Sequence, residues 1–174
     1  MKNIIVAIFL FIVSFLFTCN TYAYDFEKFY DHKLYNGVDH NCIYHAANKF
    51  EVPYWLIVAI LGVEGGWIGL KMDNTNNTYD LGPMQINTIW VPFFEEYGYT
   101  QKEIMHDGCL NVMLGTWILS TRLNRYSDLG KAIGAYHSKT PEINLRYQER
   151  VLNIVDQILN GLDVKKIIDR ANGR

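Results

Sequence analysis

No run of Lys and Arg goes beyond pairs such as Lys165-Lys166, so the basic stripe that nucleic-acid binding calls for is missing. That counts against nucleic acid as a partner. The five His residues provide no HExxH, and His40 and His45 stand five apart, off a shared helical face. Neither a metal nor any other cofactor is expected. Internal repeats, low-complexity tracts and interdomain linkers are also missing from the 174 residues, and 49% hydrophobic content is enough for one core. Cysteine is scarce, with Cys19, Cys42 and Cys109 the whole complement. The strongest apolar run, Ile4 to Phe17, is short for a membrane span.

That run is nevertheless informative. Lys2 precedes it, and the more polar Thr18-Cys19-Asn20-Thr21-Tyr22-Ala23 follows, with the small Ala23 suited to a signal-peptidase cut. Residues 1–23 therefore read as a signal peptide, and 24–174 as a single exported domain beginning at Tyr24, with its motif-bearing core at 41–160. An uncleaved anchor is the competing interpretation; Cys19 raises lipidation, against which Thr18 before it argues. Cleavage removes one cation, Lys2, and no acid, taking the formal charge from −2 to −3. Two cysteines then remain, and an even pair in an exported chain is most simply a disulfide, Cys42 to Cys109. Closing that loop of about 67 residues would constrain the unfolded chain by roughly 4 kcal/mol.

Helical periods dominate the mature chain. Asn41 suits the cap of a helix running toward Phe50, with Cys42, Ala46 and Phe50 on one side. Pro53 opens a helix in which Trp55, Leu56, Val58, Ala59, Ile60 and Val63 are apolar almost all round, so it should be buried. Helical pattern stops between Lys71 and Thr88. There Asp73-Asn74-Thr75-Asn76-Asn77-Thr78 is turn chemistry, and Pro83 argues against a central strand after it. Helical character returns from Thr88 to Tyr97, with a short turn at Gln101 to Met105. Asp107-Gly108 then breaks the chain before a helix from Cys109 to Tyr126, with Leu110, Met113, Leu114, Trp117 and Ile118 inward. Ser127 and Asp128 cap a helix from Leu129 to Ser138. Pro141 opens the last one, whose core side is Leu145, Val151, Leu152, Ile154, Val155 and Ile158, and Gly161 ends it. The expected fold class is mainly α, a helical bundle around a cleft with a small β or irregular segment between Met72 and Asn87.

Glu64 ends the apolar helix just before Gly65-Gly66, and Asp80 follows sixteen residues later, across one short polar loop. Paired carboxylates so placed suit glycoside cleavage. One stays protonated to donate to a leaving oxygen, and the other, if used, stays ionised to steady or trap the sugar cation. Attachment to an apolar helix would raise the pKa of Glu64 toward that of a neutral-pH general acid. Taken alone, Glu64 also fits a helix-end residue paired with an Arg. Asp80 is equally open to a second interpretation, an Asx turn bonding its own backbone. A carboxyl separation of about 5 to 5.5 Å from Glu64 would make it a nucleophile or ion stabiliser.

These residues resemble the lysozyme-like lytic transglycosylases of family 1, in particular the small exported ones associated with bacterial secretion and conjugation machinery. Cys42, Ala46-Ala47, Val52-Pro53, Ile60 and Glu64 resemble the family's first helices, which end in the catalytic acid. Asp80-Leu81-Gly82-Pro83-Met84-Gln85-Ile86-Asn87 resembles its Gly-Leu-Met-Gln segment. Asp107, Cys109, Asn111, Gly115 and Leu119 match the following helix with its second cysteine, and Ala132, Ala135 and Tyr136 its Ala-Tyr-Asn motif. The resemblance implies an α+β lysozyme-like fold. It also implies cleavage of peptidoglycan between N-acetylmuramic acid and N-acetylglucosamine by Glu64, with a 1,6-anhydro product, in the periplasm. By the same resemblance Tyr136 would hydrogen-bond Glu64, and Met84 and Gln85 would line the saccharide cleft. Peptidoglycan strands and proteins of a secretion or conjugation system are the implied partners, the chain itself being expected as a monomer. Without the family, Tyr136 and Met84 read as core packing. Gly82 reads as a point where backbone lets sugar approach.

Gly65 stands where the wider family has Ser, His137 replaces the Asn after Tyr136, and Pro83 stiffens the loop that carries Gln85. Gly65 and His137 motivate a different class, a peptidoglycan-binding component that keeps the cleft without the chemistry. The presence of both Glu64 and Tyr136 argues against it. A hydrolase of chitin or another N-acetylglucosamine polymer is a third candidate. Trp67, Trp90 and Tyr79 are aromatic surfaces on which sugar rings could stack, although aromatic residues this frequent are more often core.

Overall fold

The computed structural model describes residues 37–160, all within one compact unit. The expectations for residues 1–23, for Tyr24 as the mature terminus, for Cys19 and for the chain from Gly161 onward lie outside the described residues.

Helix α1, His40–Phe50, is capped by Asp39, whose carboxylate accepts from the Asn41 N–H at 2.8 Å. The cap thus falls two residues before the expected Asn41, which lies inside the first turn. Pro53 precedes α2, Tyr54–Glu64, in which every residue from Leu56 to Val63 is buried, as its all-round apolar sequence requires. This helix is the centre of the core, packed between α1 and the last helix, α7, Pro141–Leu159.

Three short antiparallel strands follow: β1, Lys71–Asp73; β2, Tyr79–Leu81; and β3, Ile86–Asn87. Their order is β1-β2-β3, with Met72 opposite Asp80 and Asp80 opposite Asn87. Pro83 sits in the turn between β2 and β3 and needs no ladder partner there. A 3-10 turn, Thr88–Trp90, leads into α3, Val91–Glu95. Thr100 and Glu103 form a capping box on α4, Gln101–His106. Asp107 caps α5, Gly108–Arg125, and Asp128 caps α6, Leu129–His137. The mainly helical, lysozyme-like arrangement implied by the resemblance is what the chain adopts. Cys42 and Cys109 are joined as a disulfide tying α1 to α5, with Cα atoms 5.1 Å apart.

Two helices turn inward a face that only partly matches the one expected. In α5 Leu114 and Ile118 are buried as expected, but they are joined by Asn111, Val112, Gly115 and Leu119, while Leu110, Met113 and Trp117 are only partly covered. In α7, Leu145 and Leu152 are 53% and 42% exposed, and the core takes Asn144 and Tyr147 with Val151, Ile154, Val155 and Ile158. The mismatched part of each face has the same cause: a buried polar side chain with a partner supplies part of the stripe.

Candidate active site

Glu64 is the last residue of α2 because Gly65 takes a left-handed φ of 63° and closes the helix by donating its N–H to the Leu61 carbonyl. A side chain is disfavoured at that φ, which explains glycine after the acid. The half-buried Glu64 carboxyl lines a cleft of about 640 Å³, together with Asp80, Gln85 and Tyr136. Burial pushes its pKa up to about 7; the Tyr147 hydrogen bond opposes that, the Asp80 charge adds to it and Arg150 opposes it. A proton held near neutrality is what a general acid needs.

The hydroxyl donating to Glu64 comes from Tyr147 on α7, 2.6 Å from Oε1. Tyr136, which was expected in that role, instead donates its hydroxyl to the Met84 carbonyl at 2.8 Å. The cause lies in the turn after β2, which leaves that carbonyl outside the ladder and in need of a donor. Tyr147 is buried, and the His137 ring lies parallel to it at 4.8 Å, replacing an amide with a second aromatic layer. Burial, reinforced by the Glu64 charge, holds the Tyr147 pKa well above its ordinary value, so it remains a donor. Arg150 donates to the Val63 carbonyl at 2.9 Å, placing a cation at the C-terminal end of α2.

Asp80 is in β2, where its Oδ1 accepts from the Asn87 side chain across the ladder at 2.8 Å. It is therefore not the Asx turn of the alternative interpretation; its carboxylate is fixed by a strand neighbour on the cleft wall. Gln85 has a φ of 49° and donates its side-chain amide to the Gly82 carbonyl at 2.8 Å while lining the cleft. Met84 was expected against the saccharide and is not there. It is fully buried beneath the turn, and a Cβ on Gly115 would stand 2.5 Å from its sulfur. Gly82 likewise serves the interior, since a Cβ there would meet Asn111 and the Ile104 carbonyl rather than a ligand. Of the three candidate stacking aromatics, Trp90 lines the cleft, Trp67 does not, and Tyr79 lies 3.5 Å beneath the Lys71 ammonium.

The profile of the family described as Transglycosylase SLT domain matches residues 41–150. The chain belongs to that family. The SLT-domain match contains Glu64, Asp80 and Tyr147 and ends at Arg150, so it covers the whole constellation around the acid. Among similar proteins, Invasion protein IagB of Salmonella typhimurium (strain LT2) is 30% identical over 119 residues, 64% of this chain and 72% of the relative. A Peptidoglycan-binding-like protein of Escherichia coli O157:H7 is 30% identical over 139 residues, 73% and 83% of the two chains. A Putative peptidoglycan-binding-like protein of Escherichia coli (strain K12) is 29% identical over 106 residues, 56% and 67%. Membership in the SLT family makes this a peptidoglycan-directed domain of the lytic transglycosylase type.

Tyr147 and Arg150 escaped the sequence analysis. A signal for Tyr147 existed: it lies on the same stripe as Val151, Ile154 and Ile158, where a buried phenol needs a partner for its hydroxyl.

Proposed function

We propose that the chain cleaves the β-1,4 bond between N-acetylmuramic acid and N-acetylglucosamine as a lytic transglycosylase. The observation that carries this is Glu64, held protonated to about pH 7 and oriented by the buried Tyr147 hydroxyl. Its proton passes to the glycosidic oxygen as the bond to the muramic C1 breaks. The resulting carboxylate then takes the proton from the muramic 6-hydroxyl as that oxygen bonds to C1. The 1,6-anhydro ring closes, Glu64 regains its proton, and no water is consumed. In a lysozyme-type hydrolase, the second candidate, Asp80 would be the working partner; its place lining the same cleft as Glu64 favours this. Release of soluble glycan from purified sacculi by wild type, Glu64→Gln and Asp80→Asn tests both. The transglycosylase predicts loss with Glu64→Gln and substantial activity with Asp80→Asn. Loss with both favours the hydrolase, and unchanged release by Glu64→Gln contradicts either enzyme.

Residues 1–23 would carry the chain to the periplasm, where it would open the wall locally for a secretion or conjugation apparatus. The link to such an apparatus draws on a relative that is named an invasion protein. N-terminal sequencing of the exported protein should begin at Tyr24; an intact Met1 in the exported fraction would contradict cleavage.

A further inference from the structure

None of the steps above uses Arg122. It projects from α5 into the cleft beside Ile89, Trp90 and Ile118. Its guanidinium carbon stands 5.2 Å over the Trp90 ring, which is itself braced by Trp117 at 5.8 Å and Phe94 at 6.2 Å. The Nε atom is buried without a hydrogen-bond partner, and no carboxylate among the described residues forms an ion pair with Arg122. The charged neighbour on its own helix is another cation, Arg125.

A guanidinium resting on an aromatic face keeps its N–H groups in one plane, where a carboxylate can take two of them at once. The remainder of the cleft argues for the same occupant: the Asp80 carboxylate, which also lines it, would repel an anion from its neighbourhood, so a negatively charged substituent is favoured at the Arg122 end. Neutral sugars stacking on Trp90 alone would give no reason for an unpaired cation there.

We propose that Arg122 on its Trp90 platform is a carboxylate-recognising subsite of the glycan cleft. Resting on the peptidoglycan function proposed above, it distinguishes muramic-acid-bearing strands from neutral N-acetylglucosamine polymers. The carboxylate comes from the attached peptide or, where the peptide has been removed, from the lactyl group of the muramic residue.

The test uses Glu64→Gln protein, which holds glycan without cutting it. Dissociation constants are measured for peptide-bearing strands, amidase-stripped strands and chitin oligomers, with Arg122 and with Arg122→Gln. The Gln variant should raise the Kd for a carboxylate-bearing ligand about tenfold relative to that for chitin oligomers. A loss confined to peptide-bearing strands assigns the peptide carboxylate, and a loss confined to stripped strands assigns the lactyl group. If circular dichroism shows Arg122→Gln unfolded, Arg122→Lys makes the same comparison, keeping the charge and losing the planar fork. Equal weakening on all three ligands, or none on any, overturns the subsite while leaving the enzyme proposal intact. Failure of every glycan to bind overturns both together.

Discussion

Glu64 is poised by opposition. Burial favours its neutral form, while the Tyr147 hydroxyl and the Arg150 charge favour the carboxylate that must form after proton donation. Tyr147→Phe removes the 2.6 Å bond, so the Glu64 pKa should rise and its orientation loosen. The expected outcome is a fall in kcat on the order of tenfold, with the alkaline limb of the pH–rate profile displaced upward. Tyr136→Phe should leave that limb in place, because its hydroxyl serves the Met84 carbonyl. The raised pKa also costs stability. Between pH 4.5 and about 7 the folded state keeps a proton that the unfolded state has released, so stability falls as pH rises through that window. Glu64→Gln escapes this penalty. Urea unfolding should find the variant more stable than wild type at pH 8, by up to about 2–3 kcal/mol, with the difference vanishing below pH 4.5.

The turn that carries Gln85 is held from below by α5. Asn111, fully buried, accepts from the Met84 N–H at 2.8 Å and donates to the Leu81 and Ile104 carbonyls, each at 2.9 Å. Asn111→Leu would leave three backbone groups without partners. A loss of about 3 kcal/mol or more is expected, visible as a lowered thermal midpoint with glycan release falling alongside it. Such contacts also mark where the sequence was readable and where it was not. The burial of α2 was legible because all its faces are apolar, and the small β segment because its turn residues are dense. The inward faces of α5 and α7 were legible only in part, since Asn111, Asn144 and Tyr147 belong to them through hydrogen bonds that hydrophobic periodicity does not register. Exposed Leu145 and Leu152 then looked like better core candidates.

Across the molecule, the cleft is lined by the sheet and its turns together with the end of α2 and residues of α5, α6 and α7, and the disulfide ties α1 to α5. Ordered motifs spread from Cys42 to Tyr136 made the family legible before any coordinates. Glu64, Asp80 and Gln85, which they singled out, all line the cleft, because these lie on the short stretch where helix end, strand and turn converge. The motifs misplaced Met84, which lies beneath the turn, and the partner of Glu64, because the stripe that holds Tyr147 shows that its hydroxyl needs a partner but not that the partner is a carboxyl 83 residues away along the chain. The chemistry is decided most directly by the mass of the glycan ends released from purified peptidoglycan by the mature chain. Anhydro-muramic ends, one water lighter than hydrolysed ends and lost in Glu64→Gln, are the expected result. Hydrated reducing ends would contradict it and make Asp80 a working second carboxylate.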